Sequence, residues 1–226
     1  QDAIGIVTEN FPGQPLFKCF TPGDIDIETF LELAGTLTRI LGDIHSQGIA
    51  HQAVSPDTVL CDPSPNSIKT DNIKITGFGV AGLITHIHEK IHDPSVIRDI
   101  LPYMAPEQTG RMNCAMDHRT DLYAAGVLFY ELLTGAVPFP SDDPIEIIHA
   151  HIARQPLPPA EKNTTVPVAV SNNVMKLLAK TMGDRYQSGY GAMAEFIECT
   201  RQPQKKDENR QFGRGCHEIA IKLAGP

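Results

Sequence analysis

The stretch from Leu122 to Leu133 is apolar on almost every side. A surface helix carries an apolar stripe on one face only, so a helix that is apolar all round is predicted to lie inside a core. Asp117 or Thr120 could cap its start, and Gly135 followed by Pro138 ends it. The chain must therefore fold around this helix. Its 226 residues, 41% of them hydrophobic, are enough for one core in one domain.

A second helix is predicted from Ile27 to about Gln47, because its apolar residues recur every three or four positions. Asp24 or Asp26 can cap its start, and Gly48 supplies a left-handed residue after its end. Further helices are predicted after Asp143-Pro144-Ile145-Glu146, which has the form of a capping box, after Ser171, and from Ser188 to about Thr200. Short strands are predicted at Ala3–Val7 and Ile73–Thr76, and the segments Ile49–Ala50 and Thr58–Cys61 flank the loop between them. The fold class is thus predicted to be mainly α with a few short strands.

Charge and composition exclude several kinds of partner. The formal net charge of -8 argues against a nucleic-acid surface or an anionic membrane surface. No apolar run approaches the ~20 residues that span a bilayer. The cysteines are odd in number and lack CxxC spacing, which indicates neither a disulfide framework nor a zinc site and favours a reducing, cytoplasmic setting. They are Cys19, Cys61, Cys114, Cys199 and Cys216. The chain starts at Gln1 without a signal peptide, so we expect a fragment of a longer protein.

Five motifs follow one another in a recognisable order. They are the ten residues from His51 to Leu60, Gly77-Phe78-Gly79, Ala105-Pro106-Glu107, the run from Asp121 to Gly126, and Arg185. In this order they resemble the catalytic loop, the Asp-Phe-Gly triplet, the Ala-Pro-Glu motif, the buried helix and the late arginine of a protein kinase. The resemblance covers about residues 3–200. It implies a kinase-like C-terminal lobe over residues 1–200, entered through a hinge strand, with the N-terminal lobe largely absent and a linker over residues 201–226.

A narrower resemblance involves the segments around Glu107 and Arg185. The residues from Tyr103 to Asn113, those from Arg119 to Tyr123, and Arg185-Tyr186-Gln187-Ser188 are similar to the kinase-like domain of large fungal and bacterial multidomain sensor histidine kinases. In that group an AAA-type ATPase region, a GAF domain and a histidine kinase follow this domain. The tail at Phe212-Gly213-Arg214-Gly215 is similar to the linker between them. The resemblance therefore implies protein partners or further domains of a signalling chain.

The positions at which the resemblance implies chemistry carry unsuitable residues. Phosphoryl transfer depends on a base, metal ligands and a lysine held in place. The base position is Ala53, the second metal-ligand position is Thr58, and the first, in the Asp-Phe-Gly triplet, is Gly77. Ser55 stands in place of the loop lysine, and Ile100 in place of a threonine that bonds the catalytic pair. We therefore expect no catalytic, cofactor-binding or metal-binding residues, and ATP with Mg²⁺ only if some activity survives.

The remaining markers are expected to be structural. His51 and Phe78 should fill the core beneath the cleft, and Gly126 lies within the buried helix. Glu107 and Arg185 are expected to form a buried ion pair. Asp121 is expected to accept hydrogen bonds from the backbone around His51.

Other side chains offer less specific alternatives. His86, His88 and His92 could bind a metal ion, although no distant ligand is indicated. His149 and His151 are predicted to lie on a helix surface. Ser55 near His51 has the form of a nucleophile and its base, but the inward histidine disfavours a hydrolase.

Three functions follow from these observations. The first is a catalytically impaired, pseudokinase-like module that acts as a regulatory or docking scaffold in a phosphorelay or signalling protein. The second is a divergent ATP-binding Ser/Thr protein kinase that retains some phosphotransfer. The third is an inactive partial product, exposing the apolar floor of its cleft.

Overall fold

Residues 11–62, 73–83, 100–111 and 115–201 are described by a computed structural model of the chain. The helices are α1 Leu16–Cys19, α2 Ile27–Ser46, α3 Arg119–Thr134, α4 Pro144–Ala153, α5 Pro159–Lys162, α6 Val168–Leu177 and α7 Gly189–Arg201. The strands are β1 Gln14–Pro15, β2 Ile49–Ala50, β3 Val59–Cys61, β4 Ile73–Ile75 and β5 Gly82–Leu83. Short 3₁₀ turns lie at Phe78–Val80, Leu101–Tyr103, Pro106–Thr109 and Met182–Asp184. The predicted mainly helical class with few strands is confirmed.

Helix α3 is the centre of the core, as its all-round apolar sequence predicted. Phe129 is fully buried on it and meets Phe30 of α2 and Phe196 of α7 edge to face, at centroid distances of 5.6 and 5.5 Å. Such edge-to-face contacts favour aromatic packing beyond the buried area alone. Gly126 lets α6 approach closely, because a Cβ there would lie 2.7 Å from the Cβ of Leu177. The three neighbouring helices therefore fix α3 on all sides.

The strands form two small antiparallel sheets beside this helical core. One has the order β1-β3-β4, with Gln14 opposite Cys61 and Val59 opposite Ile75, and the other pairs β2 with β5. Within the described ranges, no sheet has more than three strands. The two sheets frame the segment between β2 and β3, which holds the loop from His51 to Thr58. The predicted strand at residues 3–7 and the linker residues 202–226 lie outside the described residues.

Three local expectations were wrong. Ser171 does not cap a helix: α6 begins earlier, and the buried Ser171 hydroxyl accepts a hydrogen bond from the Ala160 N–H. The capping box at Asp143 is incomplete, because Glu146 accepts from the Ser141 hydroxyl at 2.7 Å instead of bonding back to the cap. His151 is not on the surface but fully buried. Its position depends on residues distant in sequence, which a helical pattern in α4 cannot reveal.

His151 lies between two aromatic rings. Its Nδ1 atom is 2.9 Å from the Tyr123 hydroxyl, and its ring meets Phe139 edge to face at 5.2 Å. Burial, and after it the nearby Lys180 ammonium, lower the pKa of His151 from 6.5 to about 4. Because the charged imidazole is disfavoured in this apolar site, His151 is neutral in the folded protein at neutral pH.

The buried ion pair expected from the sequence joins the segment after residue 100 to the end of the fold. Arg185 Nη1 and Nη2 donate to the two Glu107 carboxylate oxygens at 2.6 and 2.9 Å, and both residues are almost fully buried. The remaining Arg185 N–H groups donate to the carbonyls of Ala179, Arg119 and Lys180. Thr120 also donates to Glu107, at 3.0 Å. Every donor of the guanidinium is thus satisfied, which is what makes a buried charge tolerable.

In the described part of the chain, none of the helices has the length and apolar character needed to cross a bilayer.

We predict that the protein loses stability on acidification from about pH 6.5 to about pH 4 partly through His151. In this window the unfolded chain binds a proton at this site and the folded protein does not, since the folded-state pKa is about 4. His151→Phe should reduce the loss in unfolding free energy across this window by about 2–3 kcal/mol. Urea unfolding at several pH values measures this. His149→Gln, at an exposed histidine, is the control, and an unchanged pH slope in His151→Phe would contradict the prediction.

We also predict strong coupling between Glu107 and Arg185. Arg185→Met should lower the free energy of unfolding by about 3–5 kcal/mol, because it leaves the Glu107 carboxylate buried without its partner. Adding Glu107→Leu should recover part of this loss, which a double-mutant cycle in urea measures. Arg154→Met, in an exposed pair with Glu146 at 3.9 Å, should change stability by less than about 0.5 kcal/mol. Additive single effects would show that the pair does not act as a unit.

Candidate functional site

The loop from His51 to Thr58 is held by the carboxylate of Asp121 at the start of α3. The two Asp121 oxygens accept hydrogen bonds from the backbone N–H groups of His51 and Gln52, at 2.8 and 2.7 Å. His45 Nε2 lies 2.9 Å from the same carboxylate, which is fully buried. Gln52 adopts a left-handed backbone with φ of 66°. Two successive amides thus face one anion, and the chain turns sharply directly after them.

The His51 ring lies inside the loop with both nitrogens engaged. Nε2 lies 2.8 Å from the Thr76 carbonyl oxygen, to which it donates, and Nδ1 accepts from the Ala53 N–H at 3.3 Å. Burial lowers the pKa of His51, so this neutral tautomer is favoured. The ring also meets Phe78 edge to face at 4.7 Å. His51 has no nitrogen left for Ser55, and the geometry argues against the hydrolase alternative.

Ala53 occupies the position at which the kinase resemblance implies a catalytic base, and it lies in an apolar cluster. It is 6% exposed. The other members are Ile100, Leu101, Met104 and Ile147, with Ile148 packed against them. Two elements form this cluster around the loop: the 3₁₀ turn after Ile100, and helix α4. The site where a kinase would place a carboxylate is thus an apolar contact between the loop and the two elements that cover it.

Ser55 and Thr58 bond to each other and to the loop backbone. The Thr58 hydroxyl accepts from the Ser55 N–H at 2.9 Å and donates to the Ala53 carbonyl oxygen, 3.0 Å away. The Ser55 hydroxyl lies 3.4 Å from the same Thr58 oxygen. These bonds close the loop as a turn. Both hydroxyls are therefore committed to holding the loop in shape.

Gly77 follows β4 in a left-handed conformation with φ of 81°. A Cβ at this position would lie 2.8 Å from Thr58 Cγ2, closer than real Cβ contacts. Any larger residue here would meet both backbone strain and a clash with Thr58. Gly77 and Thr58, the two positions expected to have lost their metal ligands, are thus in mutual contact.

Gln108 is a residue of this site that the sequence reading did not single out. Its side-chain oxygen accepts from the Ala105 N–H at 2.9 Å, and its Nε2 donates to the Gln52 carbonyl at 2.8 Å. It therefore ties the left-handed turn of the loop to the Ala105-Pro106-Glu107 segment. Its place three residues after Ala105 has the spacing of a capping side chain, the one feature in the sequence that could have identified it.

Among the residues that the structure describes, no group of three or more His, Cys, Asp or Glu side chains is arranged to hold a metal ion. The candidate metal cluster of His86, His88 and His92 lies outside those residues. His149 is exposed on α4, where it bonds to Arg111 at 3.1 Å.

Comparison with known proteins agrees with this fold and loop. Residues 1–195 match the family described as "Protein kinase domain". A hybrid signal transduction histidine kinase G of Dictyostelium discoideum is 30% identical over 78% of this chain and 7% of its own length. A probable serine/threonine-protein kinase of Clostridium acetobutylicum is 29% identical over 84% of this chain and 28% of its own. The serine/threonine-protein kinase PknB of Mycolicibacterium smegmatis is 28% identical over 78% and 27% respectively.

The chain thus spans no more than 28% of the length of any of these three relatives. The family match covers nearly all of the described helices, together with the loop around His51, the Glu107–Arg185 pair and the carboxylate of Asp121. The chain belongs to the protein kinase family.

Proposed function

We propose that this chain is a catalytically impaired kinase-like module that serves as a regulatory or docking scaffold in a signalling protein. The observation that carries the proposal is the environment of Ala53. A general base must be an ionisable side chain that reaches the substrate hydroxyl. At this position the chain has a methyl group that belongs to one buried apolar cluster with Ile100, Leu101 and Met104.

The residues at the expected Mg²⁺ positions support the same proposal, because they are poor ligands for this ion. Mg²⁺ prefers oxygen ligands in near-octahedral geometry, which a kinase supplies through a carboxylate and an amide. Gly77 has no side-chain oxygen, and the Thr58 hydroxyl is already bonded to the backbone at Ser55 and Ala53. These residues do not fit the metal. We therefore propose no step of chemistry through it.

The signalling context is supported by one relative. The Dictyostelium protein is named a hybrid signal transduction histidine kinase, and this chain corresponds to 7% of it. We propose that the partners of this module are other domains of such a chain, or proteins that dock on it, in the cytoplasm. The retained Asp121 and Glu107–Arg185 interactions support this role, because a docking surface needs a stable shape and no reactive group.

A divergent Ser/Thr protein kinase is the second candidate function. It is favoured by the related proteins from Clostridium acetobutylicum and Mycolicibacterium smegmatis, both of which are named serine/threonine-protein kinases. Under this alternative ATP would bind through groups other than those at positions 53, 58 and 77.

We predict that the purified chain neither binds Mg²⁺-ATP nor transfers phosphate. A titration with ATP and Mg²⁺ should leave its melting temperature unchanged within about 1 °C, because ligand binding would raise it by mass action. Incubation with radiolabelled ATP should label neither the chain nor a general protein substrate. A saturable thermal shift would favour the kinase alternative.

Phosphate transfer that depends on the cleft would overturn the proposal. Thr58→Val removes the hydroxyl while keeping the side-chain shape. Phosphate transfer that takes place in this cleft should therefore be reduced in this variant. Thr165→Val is the matched control, since Thr165 is exposed and bonds to Asn163 instead of the loop. Transfer that is lost in Thr58→Val and kept in Thr165→Val would show an active site in this cleft.

We further predict that Ala53→Asp destabilises the protein without restoring activity. The introduced carboxylate would be buried among apolar side chains, which raises its pKa above the ordinary ~3.9 and disfavours its charged form. Stability should therefore fall as the pH rises from about 4 to 7, relative to the uncharged Ala53→Asn. Urea unfolding of both variants measures this. Equal stability of the two variants at all pH values would mean that position 53 is open to water.

A further inference from the structure

Two cysteines that are distant in sequence meet at the edge of the larger sheet. The Cys19 thiol donates to the Cys61 backbone carbonyl at 3.3 Å, across 42 residues of sequence. Their separation in the sequence and the absence of CxxC spacing hid this pair from sequence reasoning.

The backbone around the two cysteines is fixed independently of their side chains. Gln14 of β1 pairs with Cys61, the last residue of β3. The chain then turns through α1, which ends at Cys19, and Leu16 anchors this turn because it is fully buried and its N–H donates to the Pro56 carbonyl at 3.0 Å. A disulfide needs its two Cβ atoms about 4 Å apart. The Cys19 sulfur already lies 3.3 Å from the Cys61 carbonyl oxygen, so the two residues are neighbours from which side-chain rotation can bring the sulfurs together.

We propose that Cys19 and Cys61 are a redox modification site, forming a reversible disulfide when the protein meets a hydroperoxide. The Cys19 thiolate attacks the peroxide oxygen, whose O–O bond breaks, giving a Cys19 sulfenic acid and an alcohol or water. The Cys61 sulfur then attacks the Cys19 sulfur, so that an S–S bond forms and the S–O bond breaks. The departing hydroxyl takes the Cys61 proton and leaves as water. Two electrons pass from the two thiols to the peroxide, and a dithiol reductant reverses the change.

Access to solvent decides which cysteine reacts first. Cys19 is partly exposed, whereas Cys61 is 1% exposed. Burial raises the pKa of both thiols, that of Cys61 to about 12. The reactive thiolate is therefore scarce at neutral pH, and the oxidation rate should rise as the pH is increased. We therefore expect the two cysteines to stay reduced in a reducing setting and to form the disulfide only at high hydroperoxide concentrations.

The disulfide would connect the segment before α2 with the strand that directly follows the loop. Residues 19–61 contain α2, β2 and the whole loop from His51 to Thr58. Closing this long stretch restricts the unfolded chain and so stabilises the folded one. The oxidised protein should hold the loop more rigidly than the reduced protein.

The test is treatment of the full, folded chain with hydrogen peroxide, followed by thiol alkylation and peptide mapping. We expect linked peptides containing Cys19 and Cys61 to exceed every other cysteine pairing by roughly tenfold or more in the folded chain, a preference that concentrated guanidinium chloride should abolish. The oxidised protein should melt about 5 °C or more above the reduced one, and dithiothreitol should reverse both changes. Cys19→Ser and Cys61→Ala should each abolish the linked peptides and the thermal shift.

Cys199→Ser is the matched control, because Cys199 is also a half-buried cysteine and lies on a different element, α7. This variant should form the Cys19–Cys61 linkage at the wild-type rate. If Cys61→Ala does not fold, the peptide map of the wild-type protein decides alone. Alkylation of both Cys19 and Cys61 after peroxide treatment would overturn the proposal. So would a preference for the Cys19–Cys61 pairing that is equally strong in the denatured chain, or a linkage that joins either cysteine to a different partner.

Discussion

The buried carboxylate of Asp121 is the interaction on which the geometry of the loop depends. It accepts the N–H groups of two successive residues, His51 and Gln52, and the chain turns through the left-handed conformation of Gln52 directly after these two amides. Hydrogen bonds to an ionised acceptor are about twice as strong as neutral ones, and here they lie away from water. Asp121 belongs to the central helix, so the core of the protein and the shape of the loop are fixed by the same element. The inward His51 ring and the position of Ala53 follow from this arrangement.

None of these bonds needs a side chain at position 53. The loop is held by Asp121, by the His51 ring on the Thr76 carbonyl, and by the Thr58 hydroxyl, while Ala53 takes part only through its backbone. Shape and chemistry are therefore separable in this loop. Where the carboxylate is missing, Ile100 and its neighbours fill the space with apolar contacts, which stabilise the fold in proportion to the area removed from water. A charge at this position would now oppose the packing that surrounds it.

Sequence reasoning identified the parts of this structure that depend on ordered motifs. The partners of Asp121 and the Glu107–Arg185 contact could be anticipated, because their order along the chain resembles that of a protein kinase, and the buried α3 helix could be read from its composition. What could not be read depends on contacts between elements distant in sequence. His151 is buried because Tyr123 and Phe139 lie against its face of α4, and Ala53 is enclosed partly by Ile147, which follows it by more than ninety residues. Local periodicity carries no information about such neighbours.

The close approach of Gly77 and Thr58 restricts which side chains these two positions can carry. A carboxylate side chain at position 77 would place a strained left-handed residue there and would displace the methyl group of Thr58. The hydroxyl of the same Thr58 side chain closes the loop by accepting the Ser55 N–H. A change at Thr58 alone would open the loop while position 77 still offered no ligand. The two positions must therefore change together, and neither single step is favourable. Thr58 also directly precedes β3, the strand that ends at Cys61, so whatever holds this strand also holds the contact between Thr58 and Gly77. The loop is thus constrained from both of its ends, by Asp121 at the first and by β3 at the second.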